Sequence, residues 1–172
     1  SGDRAITFSR TGQLIKWDLS DGRLIESTRP VEKVEHFAAT GPEGRGIYSE
    51  GRSFYVIDLA AGKSNRMPFA AMNITAVAIS RNGRTGLVST RENHIHIFDR
   101  QTEKEVGVLK GHSSEIFSLE FDGAGNYCVS SSRDNTLRLW RISSGQCILT
   151  SRAFAGHGAP LKLSQSGRYC VW

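Results

Sequence analysis

Three groups of residues in this chain have types and spacings that could do chemistry. His112, Ser130 and Asp134 supply the three side chains of a nucleophile, its base and an orienting carboxylate. That reaction needs an exposed hydroxyl and an oxyanion hole, and the sequence signals neither. His94-Ile95-His96 puts two imidazoles on one face of an extended segment, as a metal pair would require. No Cys, Asp or Glu cluster follows to complete a site. Gly62-Lys63-Ser64 has the tail of a phosphate loop, but Ile57 stands where that motif needs its first glycine. A strand rather than a helix is predicted after it. Asn73-Ile74-Thr75 spells a glycosylation acceptor in a chain with no secretory signal. The reading is therefore no enzyme, with catalytic, metal and cofactor sites all unassigned.

The elements that hold these residues repeat. Gln13–Gly22, Ser53–Gly62, Asn93–Glu103 and Thr136–Gly145 share one pattern, a strand ending in a large apolar residue followed by a polar turn. Their anchors are Trp17, Ile57, Phe98 and Trp140, spaced by 40, 41 and 42 residues. The clearest unit reads as four strands: Ile116–Asp122, Tyr127–Ser132, Thr136–Arg141 and Cys147–Ser151. Gly, Asn, Asp and Ser fill the turns between them. In Thr136–Arg141, Leu137 and Leu139 share one face while Trp140 falls on the side of Arg138. No amphipathic helical period persists over roughly a dozen residues.

The repeat resembles the WD40 family, over the whole chain, and most specifically through Gly111-His112, Asp134 and Trp140-Arg141. That resemblance implies an all-β fold: a partial WD40 β-propeller of about four four-stranded antiparallel blades, three complete and two partial. The expected single repeat domain, 1–172, divides near 1–28 (partial), 29–69, 70–110, 111–152 and 153–172 (partial). The first unit lacks its first strand, because Asp3 aligns with Asn126; the last begins at Gly156-His157. The family also implies a structural hydrogen-bonded tetrad, which falls here on His112, Ser130, Asp134 and Trp140. Such a set would lock the third strand to the loop entering the blade. The other units depart from it: Thr11, Gly51 and Glu92 stand where Asp134 stands in the best one.

The resemblance further implies that the residue before the turn acid, and two residues entering the first strand, point to one end of the ring around its channel. The pre-acid positions are Arg10, Glu50, Arg91 and Arg133; the entry positions are Lys33 and Glu35, Asn73 and Thr75, Glu115 and Phe117, then Ala159 and Leu161. Arg10, Arg91 and Arg133 make a candidate basic crescent for carboxylate or phosphate. Phe117 is its apolar anchor, with Glu115 and Asn73 beside it.

Composition agrees with a binding role. The net charge is +5 and 16 of 22 basic residues are Arg, a balance that favours acidic partners. The expected partner is a protein or peptide, acidic or phosphorylated; nucleic acid is the alternative, and a propeller enzyme ranks last. Three Cys without CxxC spacing favour a reducing, intracellular compartment, cytoplasmic or nuclear. No run of about 18 apolar residues marks a membrane span. The chain reads as an internal piece of a longer protein, its missing blades supplied by the parent chain or by a second copy.

Overall fold

The computed structural model describes residues 4–29, 32–40, 44–70, 73–152, 162–163 and 170–171; of 69, 70, 162, 170 and 171 only the backbone is described. These form five antiparallel sheets and no helix. The first holds β1 (Arg4–Phe8), β2 (Leu14–Asp18) and β3 (Leu24–Thr28). The second holds β4 (His36–Ala39), β5 (Arg45–Glu50), β6 (Ser53–Asp58) and β7 (Lys63–Ala70). The third holds β8 (Ile74–Ile79), β9 (Thr85–Thr90), β10 (Ile95–Asp99) and β11 (Lys104–Leu109). The fourth holds β12 (Ile116–Phe121), β13 (Tyr127–Ser132), β14 (Thr136–Arg141) and β15 (Gln146–Arg152). A pair, β16 (Lys162–Leu163) and β17 (Cys170–Val171), follows. Each full sheet is a meander in sequence order. The fold is thus an all-β partial propeller with three complete sheets and two partial ones.

Alternation explains how the sheets stack. On β8 and β9, Ile74, Val77 and Val88 join Ile47, Phe54 and Met67 of the second sheet. Their neighbours Ala76, Ala78 and Leu87 join Ile116, Leu119 and Cys128 of the fourth. A sheet covered on both faces needs apolar residues at every position, so these strands read as continuous hydrophobic runs. Between the first two sheets, Leu14 and Val34 meet Tyr48, Ile57 and Leu59. The first strands of neighbouring sheets, β4, β8 and β12, line a common cleft of about 800 Å³.

The second-to-third-strand turns share a device. Gly12, Asn93 and Asn135 each take a positive φ, of 76°, 64° and 60°, one residue after Thr11, Glu92 and Asp134. Asn and Gly tolerate that region where branched residues do not. The second sheet differs: Glu50 pairs directly with Ser53 across a two-residue turn at Gly51-Arg52. In the other three sheets the ladder to the outer strand carries a bulge just before Trp17, Phe98 or Trp140. The expected strand from Cys147 starts one residue earlier, at Gln146. Asp122 leaves its strand because its Oδ1 accepts the Tyr127 N–H at 2.8 Å. Gly156-His157, Ala159, Leu161 and Asp3 lie outside the described residues.

Candidate functional site

The fourth sheet brings His112, Ser130, Asp134 and Trp140 together. Trp140 Nε1 donates to Ser130 Oγ at 2.8 Å. Ser130 Oγ lies 2.7 Å from His112 Nε2, and His112 Nδ1 lies 2.7 Å from Asp134 Oδ2. One proton arrangement satisfies all four: the indole N–H to the hydroxyl, the hydroxyl to Nε2, and Nδ1–H to the carboxylate. Asp134 also accepts the Ser113 N–H at 3.0 Å, the Thr136 N–H at 2.9 Å and the Thr136 hydroxyl at 2.6 Å. Burial works against both ionised groups. It holds His112 below the ordinary imidazole range, against the pull of Asp134. For Asp134 burial alone would raise the pKa, but the bonds from Thr136, His112 and Ser113 outweigh it and bring it to about 2. Ser130 is fully buried, with its oxygen between an indole and an imidazole. That is the geometry of a lock rather than of an accessible nucleophile. Gly111 completes it by close approach, since a Cβ there would stand 2.7 Å from an Arg138 guanidinium nitrogen and 3.2 Å from the Trp140 ring.

The position ten residues before Trp17 holds Thr7, and Trp17 Nε1 donates to its Oγ1 at 3.0 Å. Thr7 therefore does for Trp17 what Ser130 does for Trp140. The sequence reading missed it, although the equal spacing was available. Where the anchor has no N–H, the partner has no short hydroxyl: Phe98 meets Val88, and the residue in register for Ile57 is Tyr48, stacked on Tyr55 at 4.8 Å. The polar pair and the apolar pair are alternative ways to fill one place.

The predicted crescent lies at the opposite end of these strands from the turns that follow Trp140 and its equivalents. Arg10, Arg91 and Arg133 are all exposed. Their backbones tie each turn to the segment entering a first strand: Val34 N–H donates to Arg10 O, Arg91 N–H to Asn73 O, and Arg133 N–H to Glu115 O. The side chains are not equivalent. Arg133 lies 3.4 Å from the Glu115 carboxylate, and Lys33 lies 3.0 Å from Glu35. Arg10 and Arg91 make no ion pair among the described residues. Asn73 is exposed, with φ 55°. Phe117 is half-buried in the wall of the cleft, whose lining also includes His36. Burial holds His36 below its usual range, partly offset by Glu35. Sequence reasoning did not single out His36, which carries no motif.

His94 and His96 separate in their partners. His94 faces Glu92 at 3.9 Å and His96 faces Glu105 at 3.3 Å. Among the described residues no three His, Cys, Asp or Glu side chains could hold a metal ion. Cys128 is a buried thiol whose pKa burial drives upward, and Cys147 is a free thiol beside Arg138. Among the described residues no helix is long and apolar enough to cross a membrane.

Comparison with known proteins places this repeat. The profile of the family described as WD domain, G-beta repeat, matches residues 103–141. That stretch runs from the turn before β11 through β14, so one sequence repeat joins the outer strand of one sheet to three strands of the next. The chain is 36% identical over 73 residues to a mouse (Mus musculus) NACHT domain- and WD repeat-containing protein 1, covering 42% of this chain and 5% of that protein. It is 29% identical over 77 residues to eukaryotic translation initiation factor 3 subunit I of Saccharomyces cerevisiae, covering 45% and 22%. Autophagy-related protein 16 of Arabidopsis thaliana is 27% identical over 151 residues, covering 86% and 30%. The chain thus spans less than a third of the length of each of these relatives. The matching profile and the stacked four-stranded sheets together show a WD40 repeat at residues 103–141, set among sheets of the same construction.

Proposed function

We propose that this chain is a non-catalytic scaffold that captures an acidic or phosphorylated segment of another protein at the end of the sheets carrying Arg10 and Arg91. The observation that carries the reading is the exposed Arg91 guanidinium, without an ion pair among the described residues, on a turn braced by its backbone bond to Asn73. An exposed Arg on a braced turn is preorganised for bidentate carboxylate or phosphate. Phe117, half-buried in the wall of the cleft, offers an apolar contact. Arg133 contributes less, because Glu115 stands 3.4 Å from one of its terminal guanidinium nitrogens. A pull-down tests the ranking: Arg91→Ala weakens capture roughly fivefold or more, while Arg133→Ala changes it little. Capture unchanged by Arg91→Ala rejects the reading. A steep fall of affinity with salt, on single-stranded nucleic acid rather than peptide, would favour the nucleic-acid alternative. We assign the chain to a reducing compartment, cytoplasm or nucleus, on its free thiols Cys128 and Cys147.

The end sheets support a further part of this reading. Ile6, Phe8 and Leu14 pack toward the second sheet, so Trp17 and Leu24 point away from it. Trp17 is half-buried there, while Ile57, Phe98 and Trp140 are each at most 3% exposed beneath a preceding sheet. We assign the cover of that face to another blade of a longer chain.

A further inference from the structure

The third sheet departs from its siblings at one place. The residue two after each anchor is Leu19, Leu59, Arg100 or Ile142. Leu59, Arg100 and Ile142 are structurally equivalent: their N–H groups donate to Gly44 O, Arg84 O and Asn126 O respectively. Leu59 is buried and Ile142 packs on the core. Arg100 is half-buried in that position, its stem beside Ile47, Phe54, Met67 and Phe98. The fold alone would place an aliphatic residue there, because an Arg at a core edge loses hydration.

Other arginines gather at the same turn. Arg100 Nε donates to Gly83 O at 2.8 Å, which fixes the guanidinium against the Ser80–Thr85 loop. The Arg45 stem lies on Gly83, 3.7 Å from where a Cβ would stand. Arg81 and Arg84 belong to the loop and are exposed; the fourth sheet has Gly123 and Asn126 in their places. Opposing charge is limited. Asp99 takes Arg84 Nε at 3.1 Å on one oxygen, while the other accepts the N–H groups of Gln101 and Thr102. Asp58 stands across the ladder from Arg45, and its Oδ1 accepts the N–H groups of Ala60 and Ala61.

We propose that Arg45, Arg84 and Arg100 around the Gly83 turn form a second interaction surface, which binds a phosphate dianion carried on a peptide. Guanidinium groups held at their Nε keep outward N–H edges that match phosphate oxygens. The cluster gathers at the single turn around Gly83 rather than along a track for successive nucleotides. The nearby aromatics Phe54 and Phe98 are buried, so neither offers a base a ring to stack on. The surface lies at the other end of the strands from Arg91 and does not depend on the reading given for that end.

Two-dimensional NMR of the 172-residue chain, following backbone amides and Arg Nε–H groups, tests this with an N-acetyl phosphoserine amide as probe. Saturable shifts are expected at Gly83, Arg84 and Arg100, and none with the serine counterpart. Arg100→Leu restores the side-chain type of Leu59, so it folds and melts at the same or a higher temperature, yet binds roughly tenfold more weakly or worse. Arg84→Gln, exposed and therefore safe for folding, weakens binding in the same direction. Arg91→Ala leaves the shifts intact. Absent or unsaturable shifts, or full affinity in both Arg100→Leu and Arg84→Gln, overturn the proposal. So does a single-stranded oligonucleotide that saturates the same signals more tightly than phosphoserine, which would assign the turn to nucleic acid.

Discussion

Trp140 has a single polar hydrogen, and the fourth sheet is arranged around where it goes. The chain from indole to hydroxyl to imidazole to carboxylate leaves none of these groups unpaired, and burial makes each missing partner costly. It also makes stability depend on pH in one direction. Unfolded, His112 takes a proton near pH 6.5; folded, burial holds it lower, so the unfolded chain binds more protons as pH falls through that range. Asp134, at about 2 when folded and about 3.9 when unfolded, adds stability above pH 4 that is lost on further acidification. Denaturant melts should therefore show a midpoint that declines steadily from pH 7 to pH 3. Asp134→Asn should lower stability at pH 7 by about 1–3 kcal/mol and flatten the limb below pH 4. A wild-type midpoint that rises on acidification would contradict the assignment. These four residues were legible because the family motif names them, whereas Thr136 and Ser113, which hold Asp134 equally closely, carry no motif.

At the scale of the strand, register rather than composition decides what meets what. Counting back from Ile57 by the spacing that links Trp140 to Ser130 arrives at Ile47, yet Tyr48 occupies the place. The turn at Gly51-Arg52 is shorter, and one residue fewer exchanges the two faces of the preceding strand. That shift is invisible to a repeat count anchored on one residue per unit. The same strand holds Gly46, where a Cβ would stand 2.9 Å from the Phe37 ring, 3.0 Å from Ile57 and 3.1 Å from the Ala38 carbonyl oxygen. The backbone oxygen cannot swing aside as a side chain can. Gly46→Ala should cost about 1–3 kcal/mol by overpacking, read as a lowered Tm in a thermal melt. An unaltered Tm would mean that β4 retreats without loss.

For the whole molecule, the contacts between the first four sheets leave exposed apolar groups on the outer strands of the first and fourth, Leu24 at 48% and Leu149 at 57%. Trp17 and Leu24 face away from the second sheet, while Leu139 of the fourth sheet joins Val129, Leu137 and Leu163 of β16. If a longer chain supplies the covering blade, light scattering of the 18.9 kDa chain alone gives a monomer, its charge of +5 opposing association. A discrete dimer would transfer that role to a second copy. The sequence by itself determined the class of fold and the turns of its clearest unit, because hairpins are local: Gly and Asn favour the places where φ turns positive, and apolar residues must recur where faces are buried. The tertiary structure decided which charges are available. Arg91, Arg133 and Arg100 are the same residue in the sequence. One is exposed without an ion pair among the described residues, one is held by Glu115, and one lies half-buried against Gly83. Such differences depend on neighbours distant in sequence, Glu115 for Arg133 and Gly83 for Arg100, which only the pairing of strands within a sheet brings close.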